Sequence, residues 1–192
     1  DEEAMIPVRE NFAETAFFYP NLRTDSLGGV SIVFTMPDAL TEWKFTGLAH
    51  TQAVDYGMLT QTVKTSKPFM VQPNMPRFVR KGDRTVIAAS LVNLSMDKIE
   101  GNAGIKLYDP VTEEVVYDYQ QPFSVAEGTT GVVRFDCQIP DTYDMLVCRI
   151  TAEAGEYSDG EQHYLPVLTD KQWMTETVPV QLDGESMTEV GT

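Results

Sequence analysis

The sequence predicts an all-β protein in which two antiparallel β-sandwich units follow one another. Whether the first unit has all its strands stays open. Three observations lead to this prediction. Short stretches that alternate apolar and polar residues recur about every 8–12 residues beyond Thr65. Clusters of turn residues separate these stretches, and no stretch repeats with the helical period. The amino-acid composition changes between Thr65 and Pro68, so we place the boundary between the units there.

The first unit, residues 1–66, is predicted to be a polar linker over residues 1–10 followed by four strands. Pro37 lacks the N–H that a strand ladder needs, and the side chain of Asp38 is expected to cap a turn over 39–42. In chain order the elements are a strand over 14–22, a turn over 24–29, strands over 30–36 and 43–49, a loop over 52–58 and a strand over 59–64.

The second unit, residues 67–168, is predicted to be a complete sandwich. Lys81-Gly82-Asp83 indicates a tight turn, and Asp159-Gly160 indicates a hairpin turn before the last strand. The predicted strands cover 69–75, 84–94 (the central strand), 104–108, 115–120, 132–139, 145–154 and 161–168. Residues 169–192 are predicted to be a polar linker or the start of a following domain, with one strand over 176–182.

Acidic residues dominate the charge of the chain: 29 Asp and Glu stand against 14 Lys and Arg, a formal charge of −15. A polyanion repels phosphate groups, which argues against nucleic acid as a partner and against direct contact with an anionic membrane. No stretch approaches the ~20 apolar residues that span a bilayer. The opening DEEAM has no signal-peptide pattern, and we expect an internal piece of a longer protein.

The sequence offers no catalytic, cofactor or metal constellation, and we predict a protein that is not an enzyme. His50 and His163 have no partners at ligand spacing, so each is expected to be an ordinary strand residue. The acidic run 156–161 lacks calcium-loop spacing, and a hairpin turn explains it better. Cys137 and Cys148 flank a predicted hairpin. A cross-strand disulfide between them is conceivable, but two free, half-buried thiols are favoured.

The aromatic residues of the first unit allow two interpretations. Phe17, Tyr19, Trp43 and Phe45 lie on predicted strands, and the commoner arrangement places such side chains inside a sandwich. A platform that binds carbohydrate or peptide is the alternative. Trp173 lies in the tail, where we expect it to contact a domain outside this chain.

Five sequence motifs between residues 9 and 168 carry a resemblance to a known family. They are R-x-x-F-x-E-T-A from Arg9, P-D-x-L-T-E-W from Pro37, K-P-F-x-V from Lys67, P-R-F-V-R-K-G-D from Pro76 and S-D-G-E-Q-x-x-L-P-V from Ser158. Together these motifs resemble the α2-macroglobulin family, and the last one resembles its bacterial members.

The resemblance implies that residues 1–66 follow the protease bait within a macroglobulin-like domain, that 67–168 form a whole macroglobulin-like sandwich, and that 169–192 begin a CUB-like domain. In this family a protease cuts the bait and the molecule rearranges to entrap it. Thioester-bearing members also bind the protease covalently, but the Cys-x-Glu-Gln signature is absent from this sequence. The implied partners are target proteases, through a full-length parent, and neighbouring domains of the same chain.

The resemblance also implies the periplasm, the cell envelope or the extracellular space as the location, with a lipid anchor on the parent left open. Sheet edges that an incomplete first unit leaves uncovered are expected to pair with a neighbouring domain, with the tail or with another copy of the chain. Two other functions stay open. One is an adhesin-like or carbohydrate-binding module, which predicts an exposed aromatic cluster, and the other is an accessory domain of an enzyme.

Overall fold

The computed structural model describes residues 6–171 and 174–177, and all regular structure in these ranges is β-strand. The all-β prediction is therefore confirmed. The strands are β1 (Glu42–His50), β2 (Tyr56–Lys64), β3 (Phe69–Asn74), β4 (Val79–Arg80), β5 (Arg84–Asn93), β6 (Ile99–Tyr108), β7 (Val115–Val125), β8 (Thr130–Gln138), β9 (Met145–Ala154) and β10 (Tyr157–Leu168). Across the described ranges, no helix is long and apolar enough to cross a membrane.

The strands from β3 to β10 form a sandwich of two sheets. The larger sheet has the order β4-β10-β9-β6-β7, and the smaller has the order β3-β5-β8. As predicted, β5 is a central strand, because it pairs with β3 on one side and with β8 on the other. All pairs are antiparallel except β4 with β10, which are parallel at Val79–Val167 and Arg80–Leu168.

The core of the sandwich follows from the alternation of side chains along its strands. Ile87 and Leu91 of β5, like Ile105 of β6, have essentially no exposed surface because every second side chain points between the sheets. Phe69 of β3 stacks on Phe123 of β7 with ring centroids 5.6 Å apart, which joins the two sheets. Each large apolar side chain buried in this way contributes about 1.5–3 kcal/mol, so apolar burial stabilises this part of the chain.

The last hairpin turns earlier than the sequence predicted. The turn lies at Gly155 and Glu156, and Gly155 has a φ of 61°, a left-handed conformation that glycine adopts without strain. Asp159 and Gly160, the predicted turn residues, lie inside β10 and pair with β9. The Asp-Gly signal fails here because the side chain of Asp159 is fully buried among cationic partners from distant parts of the chain.

Residues 6–41 contain no strand in the structure, so the predicted strands over 14–22 and 30–36 are wrong. Their alternating side chains have no sheet to cover them: Phe18 is 80% exposed and Val33 is 85% exposed. A strand requires a neighbour that satisfies its backbone N–H and C=O groups, and the described chain does not supply one for these residues. The alternating pattern alone therefore did not produce a ladder.

A two-stranded antiparallel sheet follows this irregular segment. The turn predicted over 24–29 and the strands predicted over 43–49 and 59–64 are confirmed, although the second strand begins earlier, at Tyr56. β1 and β2 pair without interruption from Glu42–Lys64 to His50–Tyr56. This β1–β2 hairpin stands apart from both sheets of the sandwich.

Two expectations for the tail fall on positions that are not described. Trp173 is one of them. The predicted strand over 176–182 is the other, apart from residues 176–177, which the structure describes outside any strand. The strands predicted in the second unit are all present, and β6, β7 and β8 begin before the predicted positions or extend beyond them.

Candidate functional site

The most concentrated chemistry in the structure is a buried cluster of charges on β10. The carboxylate of Asp159 has no exposed surface. It accepts hydrogen bonds from Arg9 Nε at 3.1 Å, Arg9 Nη2 at 2.8 Å, Lys67 Nζ at 2.7 Å and the backbone N–H of Val71 at 2.9 Å. These donors come from the N-terminal segment, from the residues just before β3 and from β3 itself. Asp159 therefore ties three separate parts of the chain together.

Arg9 completes the cluster, because all three nitrogen atoms of its guanidinium group have partners there. Besides bonding Asp159, its Nη2 donates to the carbonyl oxygen of Val71 at 2.7 Å, and its Nη1 lies 2.8 Å from Oε1 of Glu161. The other oxygen of Glu161 is 2.8 Å from Nε2 of His163. Such forked, charge-assisted bonds are the strong ones in proteins. The fixed fork of arginine is what allows one side chain to join these acceptors.

The backbone of Arg9 is also part of the sheet. Its N–H donates to the carbonyl oxygen of Gly160 at 2.9 Å, and its carbonyl oxygen accepts the N–H of Gln162 at 3.0 Å, as in a parallel bridge to Glu161. Arg9 is only 7% exposed. The prediction of a free linker over residues 1–10 is therefore wrong at Arg9, because this residue extends the β10 edge of the larger sheet.

The residues after Arg9 are held by a second carboxylate. Oδ2 of Asp38 accepts the backbone N–H groups of Glu10 at 3.1 Å and Asn11 at 2.9 Å, and the N–H of Asp38 donates to the carbonyl oxygen of Asn11 at 2.7 Å. Asp38 was expected to cap the turn over 39–42, and that expectation is wrong. It caps the Glu10–Asn11 backbone instead, because those N–H groups lie free just beyond the bridge at Arg9.

The pKa values of these groups follow from their partners. Burial opposes the charge on Asp159, but the hydrogen bonds from Arg9, Lys67 and the Val71 backbone outweigh it and hold the pKa of Asp159 below its usual value. Burial likewise opposes the charge on Arg9, and its bonds to the two carboxylates keep the pKa above the ordinary value. Backbone N–H groups lower the pKa of Asp38. Asp159 and Arg9 are thus both ionised at neutral pH.

His163 and His50 have different environments. The His163 ring lies parallel to Phe12, with centroids 4.7 Å apart, next to the charge cluster. A cleft of about 260 Å³ beside it is lined by Phe12, Leu40 and Pro73, among others. His50 pairs with Tyr56 at the end of the β1–β2 hairpin, and its Nδ1 lies 3.4 Å from the carbonyl oxygen of Thr51. Within the described part of the chain, no group of three or more His, Cys, Asp or Glu side chains is placed to hold a metal ion.

The aromatic residues of the first unit meet outside the sandwich. Phe17 packs on Phe34, Tyr19 and Phe45 with centroid distances of 4.3, 5.5 and 6.1 Å. Tyr19 is 48% exposed and Phe34 is 43% exposed. The expectation that these rings face a sandwich interior is therefore wrong. Trp43 is half-buried, and its indole N–H donates to Oγ1 of Thr65 at 3.3 Å.

The two cysteines are free thiols, as favoured, but both are fully buried rather than half-buried. They lie on opposite sheets, Cys137 on β8 and Cys148 on β9. Burial raises the pKa of Cys137 to about 11 and that of Cys148 to about 12. Neither thiol is a nucleophile at neutral pH, because the thiolate is the reactive form.

The sequence analysis did not identify the three charged residues at the centre of the cluster as partners of one another. Arg9 was assigned to a linker, Asp159 to a turn, and Lys67 to a domain boundary. The available signal was that each belongs to one of the family-like motifs while none has an obvious surface role. A charged residue at an inward position of a strand indicates a distant partner of opposite sign, but it does not identify that partner.

Comparisons with known proteins agree on one family. The sequence model of the Alpha-2-macroglobulin family matches residues 15–104. The chain is 26% identical over 198 residues to the Alpha-2-macroglobulin homolog of Nostoc sp., covering 95% of this chain and 10% of that protein. It is 29% identical over 88 residues to the Alpha-2-macroglobulin of Thermotoga maritima, covering 46% of this chain and 6% of that protein. The chain thus spans about a tenth or less of the length of these relatives.

The fold is also similar to that of solved alpha-2-macroglobulin structures. Escherichia coli alpha-2-macroglobulin activated by porcine elastase matches 76% of this chain and 13% of its own, with a TM-score of 0.62 and 21% identity. Its native conformation matches with a TM-score of 0.58. The macroglobulin-like sandwich and the resemblance seen in the motifs are both confirmed, and the chain is similar in sequence and in fold to bacterial alpha-2-macroglobulins.

Proposed function

We propose that this chain is a non-catalytic scaffold segment of a longer bacterial endopeptidase inhibitor, which traps proteases by a conformational change after its bait is cut. The observation that carries the proposal is the similarity of the chain to the Alpha-2-macroglobulin family model and to a bacterial alpha-2-macroglobulin homolog, joined to a sandwich with a closed apolar core. A trap of this kind needs rigid units that move as bodies about short junctions. The sandwich from β3 to β10 is such a unit.

The same proposal divides the chain into three parts. Residues 1–66 would follow the bait within one macroglobulin-like domain, 67–168 would be a whole macroglobulin-like domain, and 169–192 would begin a CUB-like domain. The partners are then target proteases, bound by the whole parent, and neighbouring domains. Among the described residues, β1 and β2 pair only with each other, and a neighbouring domain, the tail or another copy of the chain would cover their outer edges. The location is extracytoplasmic, in the periplasm, in the cell envelope or outside the cell.

Covalent capture is not assigned to this segment. Cys137 and Cys148 lie outside any Cys-x-Glu-Gln sequence. Their burial and raised pKa values also leave them unreactive. The segment's proposed contribution is mechanical: it transmits the rearrangement as a folded body.

The test uses the complete protein encoded by the gene. The open reading frame should contain further sandwich domains and a cleavable segment upstream, and a helical domain downstream. Porcine elastase, the protease named for the Escherichia coli relative, is a suitable probe. Small-angle X-ray scattering should show a changed radius of gyration after a single elastase cut. A reading frame that ends near this segment, or an unchanged shape after cleavage, would contradict the proposal.

A second function is favoured by one observation, the partly exposed ring cluster around Phe17. Aromatic surfaces of this kind are typical of carbohydrate-binding modules. Titration calorimetry with soluble polysaccharides separates the two proposals. Binding that Tyr19→Ala abolishes, while Tyr164→Ala does not change it, would favour the binding module. Tyr164 is a suitable control because it is 70% exposed on β10.

A further inference from the structure

We propose that residues 9–12, here called the strap, form a releasable clamp that fastens the N-terminal segment and the β1–β2 hairpin to the sandwich. Opening the clamp frees residues 6–64 and uncovers the outer edge of β10, while the sandwich stays folded. This inference goes beyond the proposed function, and it holds or fails by the geometry of the strap alone.

The attachment of the strap to the sandwich is concentrated in one residue. Arg9 supplies the backbone bonds to Gly160 and Gln162 and the side-chain bonds to Asp159, Val71 and Glu161. Beyond this residue, Phe12 adds its stacking contact with the His163 ring. A fastening that depends so largely on one side chain can be undone by one local event.

The attachment of the strap to the hairpin is separate and equally local. Asp38 lies shortly before β1, and its carboxylate and N–H hold the backbone of Glu10 and Asn11. Thr65, after β2, accepts the N–H of Thr41 at its Oγ1 and donates to the carbonyl oxygen of Ala39. The strap thus lies between two carboxylates, Asp159 on the sandwich side and Asp38 on the hairpin side.

The two sides of the clamp differ in what stabilises them. The sandwich is held by a contiguous apolar core from both sheets. The strap is held by charge-assisted hydrogen bonds, and the segment after it leaves large apolar side chains such as Phe18, Leu27 and Val33 exposed. Regions with few buried apolar contacts open at lower free energy than the core does. The strap should therefore open before the sandwich unfolds.

Opening the strap has a defined structural consequence at the sheet edge. The outer edge of β10 is covered in two places, by Arg9 at Gly160–Gln162 and by β4 at Val167–Leu168. Release of Arg9 removes only the first cover. The backbone N–H and C=O groups beside Glu161 then lose their partners, and an uncovered edge of this kind accepts an extended strand.

Native-state hydrogen exchange on the whole chain tests the clamp. Arg9→Met keeps the apolar stem and removes the guanidinium group, while Lys67 and the Val71 N–H still bond Asp159. The amides of Glu10, Asn11 and Gln162 should exchange about tenfold faster or more. In the parent chain, the amides of β5 and β6 should exchange at least about tenfold more slowly than these three amides. Arg134→Met, which removes an exposed arginine of β8, is the control and should leave the exchange at Gln162 unchanged.

Asp38→Ala tests the clamp from the other side without touching a buried group. The amides of Glu10 and Asn11 should accelerate, while that of Gln162 stays protected by the carbonyl oxygen of Arg9. Unchanged exchange at Gln162 in Arg9→Met would overturn the inference. Equal opening free energies for the strap amides and for the β5 and β6 amides in the parent chain would overturn it too, because strap and sandwich would then open as one unit.

Discussion

Replacement of Asp159 by asparagine tests the buried charge cluster most severely. The side chain keeps its shape but loses its charge, and one of its oxygens becomes an NH₂ donor that faces the donors of Arg9 and Lys67 or the N–H of Val71. Arg9 would keep only Glu161 as its ionic partner. Asp159→Asn therefore leaves buried donors without acceptors, and this costs more free energy than replacing both partners by apolar groups would.

The size of the effect follows from burial. Removing one partner of a buried ion pair costs about 3–5 kcal/mol. Lys67 contributes less than Arg9, because its side chain is 32% exposed and can turn to water. We expect Asp159→Asn to lower the free energy of unfolding by about 3–5 kcal/mol. With a urea m-value of about 2 kcal/mol/M, the midpoint falls by about 1.5–2.5 M.

Urea unfolding followed by far-ultraviolet circular dichroism measures this shift. The control is Asp118→Asn, since Asp118 forms an exposed ion pair with Lys106 at 3.2 Å. Exposed pairs contribute at most about 1 kcal/mol, so the control should move the midpoint by no more than about 0.5 M. An Asp159→Asn midpoint within the range of the control would refute the role assigned to the cluster.

Three further predictions concern the cysteines, a glycine and the loss of stability at acid pH. Cys137 and Cys148 should not react with a disulfide reagent at pH 8 while the chain is folded, and both should react after unfolding in urea; fast reaction in buffer would contradict their burial. Gly101→Ala should destabilise the sandwich by about 2 kcal/mol or more, because the added Cβ would overlap the carbonyl oxygen of Glu153; an unchanged thermal midpoint would contradict it. The depressed pKa of Asp159 gives stability that is complete above its unfolded pKa of about 3.9 and lost as the pH falls through the folded value, so a urea midpoint measured from pH 5 to pH 2 should fall less steeply in Asp159→Asn than in the parent.

The sandwich was predictable because its strands carry their own pattern. In β5 the apolar residues Ile87, Ala89 and Leu91 occupy every second, buried position, and β8 alternates buried apolar residues with exposed residues that are mostly polar. Each strand finds a neighbour that buries this apolar side. The same alternation over 30–36 predicted a strand that does not form. The difference lies in the partner and not in the pattern, since a strand exists only when another strand satisfies its backbone.

The charge cluster was not predictable because its contacts are non-local. Arg9 and Asp159 are 150 positions apart, and nothing in the local sequence of either residue indicates the other. The Asp-Gly pair at 159–160 instead carried a strong local turn signal. Gly155 supplied the turn, and the buried carboxylate found its partners only in the folded chain. Family-like motifs marked these positions without stating their structural role.

The measurement that tests the proposed trap most directly is the activity of elastase held by the complete protein. A trapped protease loses its activity on large substrates, because they cannot enter the trap. It keeps its activity on small peptides, which still reach the active site. With the complete protein in excess, porcine elastase should stop degrading a folded protein substrate and continue to cleave a short chromogenic peptide. Equal loss of both activities would indicate ordinary active-site blockage, and no loss of either would show that this protein does not hold the protease; both results would contradict the proposed scaffold function.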